Sequence, residues 1–250
     1  MQNRYAQLPV ADHADVVVCG GGTAGVFAAI AAAREGRDVL IIEQLGMLGG
    51  SATAGLVTPV MYSGIEGDPP SSSISDQVHD RLIARGASTK DSRMFDPLAL
   101  KIVLEELCCE AGVRILYHTF IPQVVVQGTQ VDSVVIANKS GLARVRGSMF
   151  IDCTGDGDVC VHAGAGYTQG APDTGINQPM SLRYIVDGVD MQALRRHFEA
   201  LKQQTGIDNS ADVSGDGRRM YAACVKNRAY TLTPLFEQAV QNGDLLEEDH

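Results

Sequence analysis

The sequence predicts an α/β fold: a parallel sheet opened by a βαβ unit, then an antiparallel β-meander, then the start of a second domain. Three observations predict it. Two apolar runs of strand length, Val16–Val18 and Val39–Ile42, enclose the Ala-rich stretch Thr23–Glu35, a strong helix former. A later apolar run, Phe150-Ile151-Asp152-Cys153, leads through glycines into another helix. Between the two lie three alternating runs separated by short turns.

The first βαβ unit carries the strongest chemical signal. Gly20, Gly22 and Gly25 form a Gly-x-Gly-x-x-Gly turn between strand and helix, and Glu43 ends the second strand. With 27 glycines in 250 residues a chance match is easy, so the flanking elements carry the weight. In that context Gly20 allows the tight turn, Gly22 lets a pyrophosphate approach the backbone, and Gly25 lets the helix pack on the strand. The helix N-terminus offers its unpaired N–H groups and a partial positive charge to phosphate. Glu43 is placed to accept from ribose hydroxyls and to repel a 2′-phosphate, which argues against an NADP-type ligand. Gly36 stands where a left-handed helix end is expected.

After Glu43 comes Gln44, then a second glycine doublet, Gly49-Gly50, followed by Ser51. A nicotinamide-binding sheet normally proceeds directly to another helix and strand. Here residues 56–95 read as a loop, with Tyr62 to Asp76 composed of turn formers, an ordinary surface loop or a substrate lid. Asp96-Pro97 then reads as an N-cap with Pro at the first helical position. Leu98, Ile102, Val103, Leu107 and Ala111 follow at helical spacing, and Gly112 ends the helix. Val113–Tyr117 is a strand. The runs Gln123–Gln127, Val131–Ala137 and Ala143–Phe150 form the meander, within residues 122–150. The strand ending at Cys153 feeds Thr154-Gly155-Asp156-Gly157-Asp158 and a helix over 159–165. Ligands of open α/β sheets bind at such carboxyl edges, so two glycine turns there suggest one extended ligand touched twice. From Gln178 the character changes: Pro179–Val186 reads as a strand, and Met191–Gln204 and Leu232–Asn242 as amphipathic helices across a Gly/Asp/Ser-rich linker.

Composition narrows the function. A net charge of −10 without a basic stripe argues against a nucleic-acid partner. No 18-residue uncharged apolar run exists for a transmembrane helix, and the N-terminus lacks the apolar core of a signal peptide. A cytoplasmic protein is the default expectation. The six cysteines include no Cys-x-x-Cys and read as small core residues. Asp152, Asp156 and Asp158 miss the spacing of a calcium loop, so no metal is expected.

The segments DVVVCGGGTAGVFAAIAAAREGRDVLIIEQLGMLGGSATAGL and MFIDCTGDGDVCVHAGAGY resemble the FAD-dependent oxidoreductases of the glutathione-reductase-like fold, in the fumarate-reductase-related branch. The resemblance spans about residues 14–188. It implies a Rossmann-like FAD-binding domain over residues 1–178 and a partial substrate or cap domain over 179–250. It also implies that Gly20, Gly22 and Gly25, with Thr23 and Ala24 at the helix start, hold the FAD pyrophosphate. Glu43 would bind the adenosine ribose, with Gln44 beside it where relatives usually carry Arg. Gly49, Gly50 and Ser51 would run towards the flavin, Ile121 would meet adenine through its backbone, and Thr154, Gly155 and Asp158 would form a second contact region. The meander would be the small sheet covering the FAD domain. Relatives with covalent flavin carry His after the doublet; Ser51 stands here, which implies noncovalent FAD.

The implied activity is hydride transfer between FAD and a small organic substrate. A NAD-binding Rossmann dehydrogenase and a non-catalytic or incomplete FAD module are the alternatives. A homo-oligomer, or a further C-terminal portion that completes the flavin site, is left open. No catalytic residue is legible. Arg183 is a weak candidate for binding a carboxylate substrate, and His79, His118 and His162 are acid–base candidates by titration range alone.

Overall fold

The computed structural model describes residues 4–58, 73–90, 94–178, 180, 182–205, 211–213, 220–222, 225–226, 229–230 and 233–245. The chain divides into two compact units, Met1–Tyr184 and Ile185–His250. The first holds β1 (Val10–Cys19), α1 (Thr23–Arg34), β2 (Val39–Ile42), α2 (Ser73–Ala84), α3 (Pro97–Glu110), β3 (Arg114–Leu116), β4 (Phe120–Gln127), β5 (Gln130–Asn138), β6 (Gly141–Asp152) and α4 (Asp158–Ala163).

One six-stranded sheet runs β3-β2-β1-β6-β5-β4. β3, β2, β1 and β6 are parallel, whereas β6-β5-β4 are antiparallel. The meander is therefore no separate sheet. Its last strand and the apolar run into Cys153 are one strand, β6, which pairs with β5 at its start and with β1 along most of its length. That pairing also explains why β1 begins at Val10, earlier than its apolar run: Val10, Asp12, His13 and Ala14 sit opposite Arg144 to Gly147.

β1 and β2 read as unbroken apolar runs because both faces are covered. Val16, Val18, Val39 and Ile41 pack with Val26 and Ile30 of α1 and Val103, Leu104 and Leu107 of α3. Val17, Cys19, Leu40 and Ile42 pack instead with Val124, Val134, Ile136, Val145 and Val159. The meander thus lends its inner face to the second core. Each such fully buried Val or Ile contributes about 1.5–3 kcal/mol of transfer free energy.

Asp96 caps α3 as expected, accepting from the N–H groups of Leu98 at 2.8 Å and Ala99 at 3.3 Å. The buried face of α3 differs from the predicted one. Leu100, Val103, Leu104, Leu107 and Cys108 face the core, while Leu98 and Ile102 are exposed. Burial pushes the Cys108 thiol up to about 12. Helix α2 stands in the stretch read as loop: Ile74, Val78 and Leu82, four residues apart, are buried against the α1–α3 core. Arg81 is bidentate to Glu110 (2.8 and 2.6 Å), and Arg85 meets Glu106 at 2.6 Å, tying α2 to α3. The part of the predicted lid from Tyr62 to Ser72 lies outside the described residues.

At the amino edge of the parallel strands Arg114 joins three chain segments. It donates to Asp12 (2.6 Å), to Asp38 (2.9 and 3.2 Å) and to the His13 carbonyl (2.6 Å). Burial opposes ionisation of Asp12, but hydrogen bonds from Arg114 and the His13 N–H outweigh it and hold the carboxyl below its usual value.

The expected strand over Pro179–Val186 does not form among the described residues. Met180 and 182–186 are irregular, and Leu182, Tyr184, Ile185 and Val186 are exposed. β-propensity without a partner strand forms no ladder. The second unit holds α5 (Met191–Thr205), the antiparallel pairs β7 (Ala211–Val213) with β8 (Met220–Ala222) and β9 (Val225–Lys226) with β10 (Ala229–Tyr230), and α6 (Thr233–Asn242). Both helices fall where the amphipathic pattern puts them. No described helix is long and apolar enough to cross a membrane.

Candidate functional site

A cleft of about 290 Å³ opens at the carboxyl edge of β1, β2 and β6. It is built by hydrogen bonds at the strand ends: the Gly20 N–H donates to the Ile42 carbonyl and the Cys153 N–H to the Cys19 carbonyl, each at 2.8 Å. Gly20, Gly22, Thr23, Ala24, Glu43, Gln44, Gly50, Ser51, Ile121, Thr154, Gly155 and Asp158 line it. Gly25 and Gly49 do not, and each has a packing role instead.

The three motif glycines face different constraints. Gly20 has φ +99°, and a Cβ there would overlap the Cys153 carbonyl. A Cβ on Gly25 would overlap the Gly20 carbonyl, so this glycine seats α1 on the turn. Gly22 has ordinary extended backbone (φ −64°, ψ −178°), and a Cβ there meets nothing within 4 Å. Neither conformation nor packing requires glycine at 22. The open space beside it belongs to the cleft.

The glycine doublet docks on this turn. Gly49 donates its N–H to the Gly21 carbonyl at 2.8 Å and forms a parallel bridge with Gly22. Gly49 has φ +102° and Gly50 φ +51°, and a Cβ on Gly50 would press on the Gly22 Cα. Ser51 is the middle residue of the short helix Gly50–Ala52 that starts within the doublet, and it is exposed.

Glu43 is 5% exposed. Its Oε2 accepts from the Gly21 N–H at 2.6 Å and its Oε1 from the Leu45 N–H at 2.7 Å. The carboxylate thus holds the glycine turn as well as facing the cleft. Each oxygen keeps a second lone-pair direction for a ligand.

The two strand-to-helix turns differ. No side chain caps the N-terminus of α1, which lies open at Thr23 and Ala24. The start of α4 is closed by side chains: the Asp158 N–H donates to Thr154 Oγ1 (2.9 Å) and the Cys160 N–H to Asp152 Oδ2 (2.8 Å). Asp152 Oδ1 also accepts from the Thr154 N–H (3.1 Å) and hydroxyl (2.8 Å). Burial works against the Asp152 charge, but these bonds prevail and hold its carboxyl below the usual range. The thiols nearby are held up: burial raises Cys19 and Cys153, and the bond to Asp152 raises Cys160.

Ile42, Leu45, Thr119, Phe120 and Cys153 also line the cleft, and the sequence did not reveal them. Thr119 and Phe120 lie where the β3–β4 connection crosses the carboxyl edge. Thr119 is buried, its N–H bonded to the Glu43 carbonyl (3.0 Å), while Phe120 is exposed. The signal available was their position next to Ile121. His118 has φ +52°, and its ring lies against Gly46, but it does not line the cleft. His79 on α2, His162 on α4 and Arg183 on the exposed irregular segment do not line it either. Among the described residues the lining includes the carboxylates Glu43 and Asp158 but no Lys, Arg or His. Among the described residues no group of three or more His, Cys, Asp and Glu side chains could hold a metal ion. The open N-terminus of α1 thus presents backbone N–H groups to the cleft at Thr23 and Ala24.

The chain is similar to several known proteins. Thiamine thiazole synthase from Aeropyrum pernix is 30% identical over 167 residues, covering 60% of this chain and 58% of that protein, so the chain spans under two thirds of that relative. Among solved structures, a geranylgeranyl bacteriochlorophyll reductase-like protein from Thermoplasma acidophilum aligns over 61% of this chain and 42% of its own (20% identity, TM-score 0.47). L-proline dehydrogenase from P. horikoshii aligns over 63% and 57% (14% identity, TM-score 0.46). A family model described as FAD dependent oxidoreductase matches residues 15–244, nearly the whole sequence. By that match the chain belongs to the FAD dependent oxidoreductase family.

Proposed function

We propose that the chain binds FAD noncovalently along this cleft, as the cofactor-holding part of an oxidoreductase acting on a small organic substrate. Gly22 carries the proposal. The fold does not need glycine there, yet a side chain would fill the space beside the open N-terminus of α1, where a pyrophosphate fits. Gly20, Thr23 and Ala24 present backbone to the diphosphate, Glu43 keeps an acceptor for the ribose, and Gln44 and Ile121 flank the adenosine end. Gly50 and Ser51 lead towards the flavin, and Thr154, Gly155 and Asp158 close the opposite wall. Gly25 and Gly49 serve the site by seating α1 and the doublet. When bound, FAD supplies the hydride chemistry. The residues of this chain hold and orient it.

Purification tests the proposal. The protein is expected to be yellow and to release FAD on denaturation. A colourless protein that takes up NAD and not FAD overturns the reading in favour of a nicotinamide site. Because the described lining residues include carboxylates and no cationic side chain, raising salt from 50 to 500 mM is expected to leave FAD affinity unchanged or to strengthen it. Loss of affinity with salt, measured by flavin fluorescence, would show that side-chain cations take part.

A further inference from the structure

We propose that Asp152 is the positioning residue of this cleft. It lies behind the wall formed by Cys153, Thr154, Gly155 and Asp158 and sets where that wall meets a bound dinucleotide. For the identity of the ligand the inference rests on the FAD reading above.

One carboxylate gathers the turn. Asp152 Oδ1 takes the N–H and hydroxyl of Thr154, and Oδ2 takes the Cys160 N–H. The Thr154 hydroxyl has its one proton committed to Asp152, so its oxygen is free to accept from the Asp158 N–H. Asp152 thereby reaches both ends of the wall. The turn has little shape of its own. Gly155 (φ +94°) and Gly157 (φ +74°) are left-handed, and neither would meet a neighbour even with a Cβ. Only an ionised carboxylate accepts from this many donors without presenting a proton of its own.

The register refers this wall to the opposite one. Asp152 is the β6 partner of Cys19, which directly precedes Gly20, and the next residue, Cys153, contacts Gly20 through its carbonyl. A shift of the Asp152 carboxylate therefore changes the gap between the two glycine turns. Asp152 is not among the residues that line the cleft and acts through Thr154 and Asp158, which are.

FAD titrations followed by flavin fluorescence test this on the whole chain with Asp152→Ala, Asp152→Asn, Thr154→Val and the Asp152→Ala/Thr154→Val double variant. Arg114→Ala, which cuts the clamp at the other edge of the same sheet, is the comparator for general damage. Asp152→Ala is expected to raise the FAD Kd roughly tenfold or more, a loss of about 1.4 kcal/mol. Asp152→Asn, which keeps one acceptor oxygen, should raise it less, and it carries the test if the alanine variant does not fold. The double variant should match Thr154→Val within about twofold, because the two residues act through one connection. Arg114→Ala should lower the melting temperature and leave the Kd within about twofold. An unchanged Kd in both Asp152 variants, or fully additive effects in the double variant, overturns the proposal.

Amide hydrogen exchange on the ligand-free protein separates this failure from failure of the FAD reading. Exchange at Thr154, Asp158 and Cys160 is expected to quicken in Asp152→Ala or Asp152→Asn, with that at Gly21, held by Glu43, unchanged. Unaltered exchange at those three amides overturns the positioning role. If the unmodified chain binds no FAD, the cofactor reading falls and exchange decides the inference alone.

Discussion

Gly20, Gly22 and Gly25 look equivalent in the motif, yet their substitutions should separate cleanly. Alanine at Gly20 or Gly25 drives a methyl into a backbone carbonyl and should destabilise the fold by several kcal/mol, seen as a lost or sharply lowered thermal transition. Gly22→Ala has room and permitted dihedrals, so its melting temperature should stay near that of the parent while FAD affinity falls at least about tenfold. Retained affinity would remove the pyrophosphate from beside residue 22. Glu43→Ala should cost on both counts, because it leaves the Gly21 and Leu45 N–H groups without their acceptor, at about 1–3 kcal/mol each if they stay dry. A binding loss with no stability loss would mean that water replaces the carboxylate. At this scale the sequence was readable where spacing carried the meaning, as with the glycines and Glu43. It was silent on Thr119 and Phe120, which reach the cleft only because a connection between strands crosses that edge.

Helix α3 shows both the reach and the limit of pattern reading. Its start was legible because Asp96-Pro97 is a local signal, and Asp96→Ala should cost about 1 kcal/mol in thermal or chemical denaturation. Its buried face was not, since apolar residues such as Leu98 and Ile102 also stand between the charged ones, and packing selects Leu100 and Leu104 over them. Helix α2 was hidden for another reason. Its Ile74, Val78 and Leu82 follow directly on a stretch of turn formers, whose composition set the reading for the whole region. At the amino edge of the sheet, Arg114→Ala should cost about 1 kcal/mol, the scale of exposed ion pairs with some addition from the shared network. Asp12 and Asp152 both titrate below their usual values in the fold. Their stabilisation is therefore full above the unfolded carboxylate pKa near 4 and fades as pH falls through the lower folded values. Acid unfolding of the Arg114→Ala variant should be shallower below about pH 4 than that of the parent. An identical acid limb would show that Asp12 does not depend on Arg114.

For the whole molecule, the α/β class and the two glycine turns were legible because a strand buried on both faces and a glycine-rich strand-to-helix turn each leave a compact signature. The single continuous sheet was not, since nothing local distinguishes a strand that ends in a meander from one that goes on to join the parallel set. Family membership covers residues 15–244 and so takes in both units. The exposed apolar stretch Leu182–Val186, at the junction of the units, is the part of the sequence pattern for which the described residues offer no pairing partner.

The reach of β6 has a consequence for biogenesis. The strand that completes the cleft arrives late: Arg144 bonds the Leu8 carbonyl across a separation of 136 residues. Such distant closure is slow relative to local helix formation. On a translating ribosome the amino-terminal βαβ segment must therefore wait, its inner surface uncovered, until that strand leaves the exit tunnel, and nascent chains stalled before it should be the ones that chaperones capture.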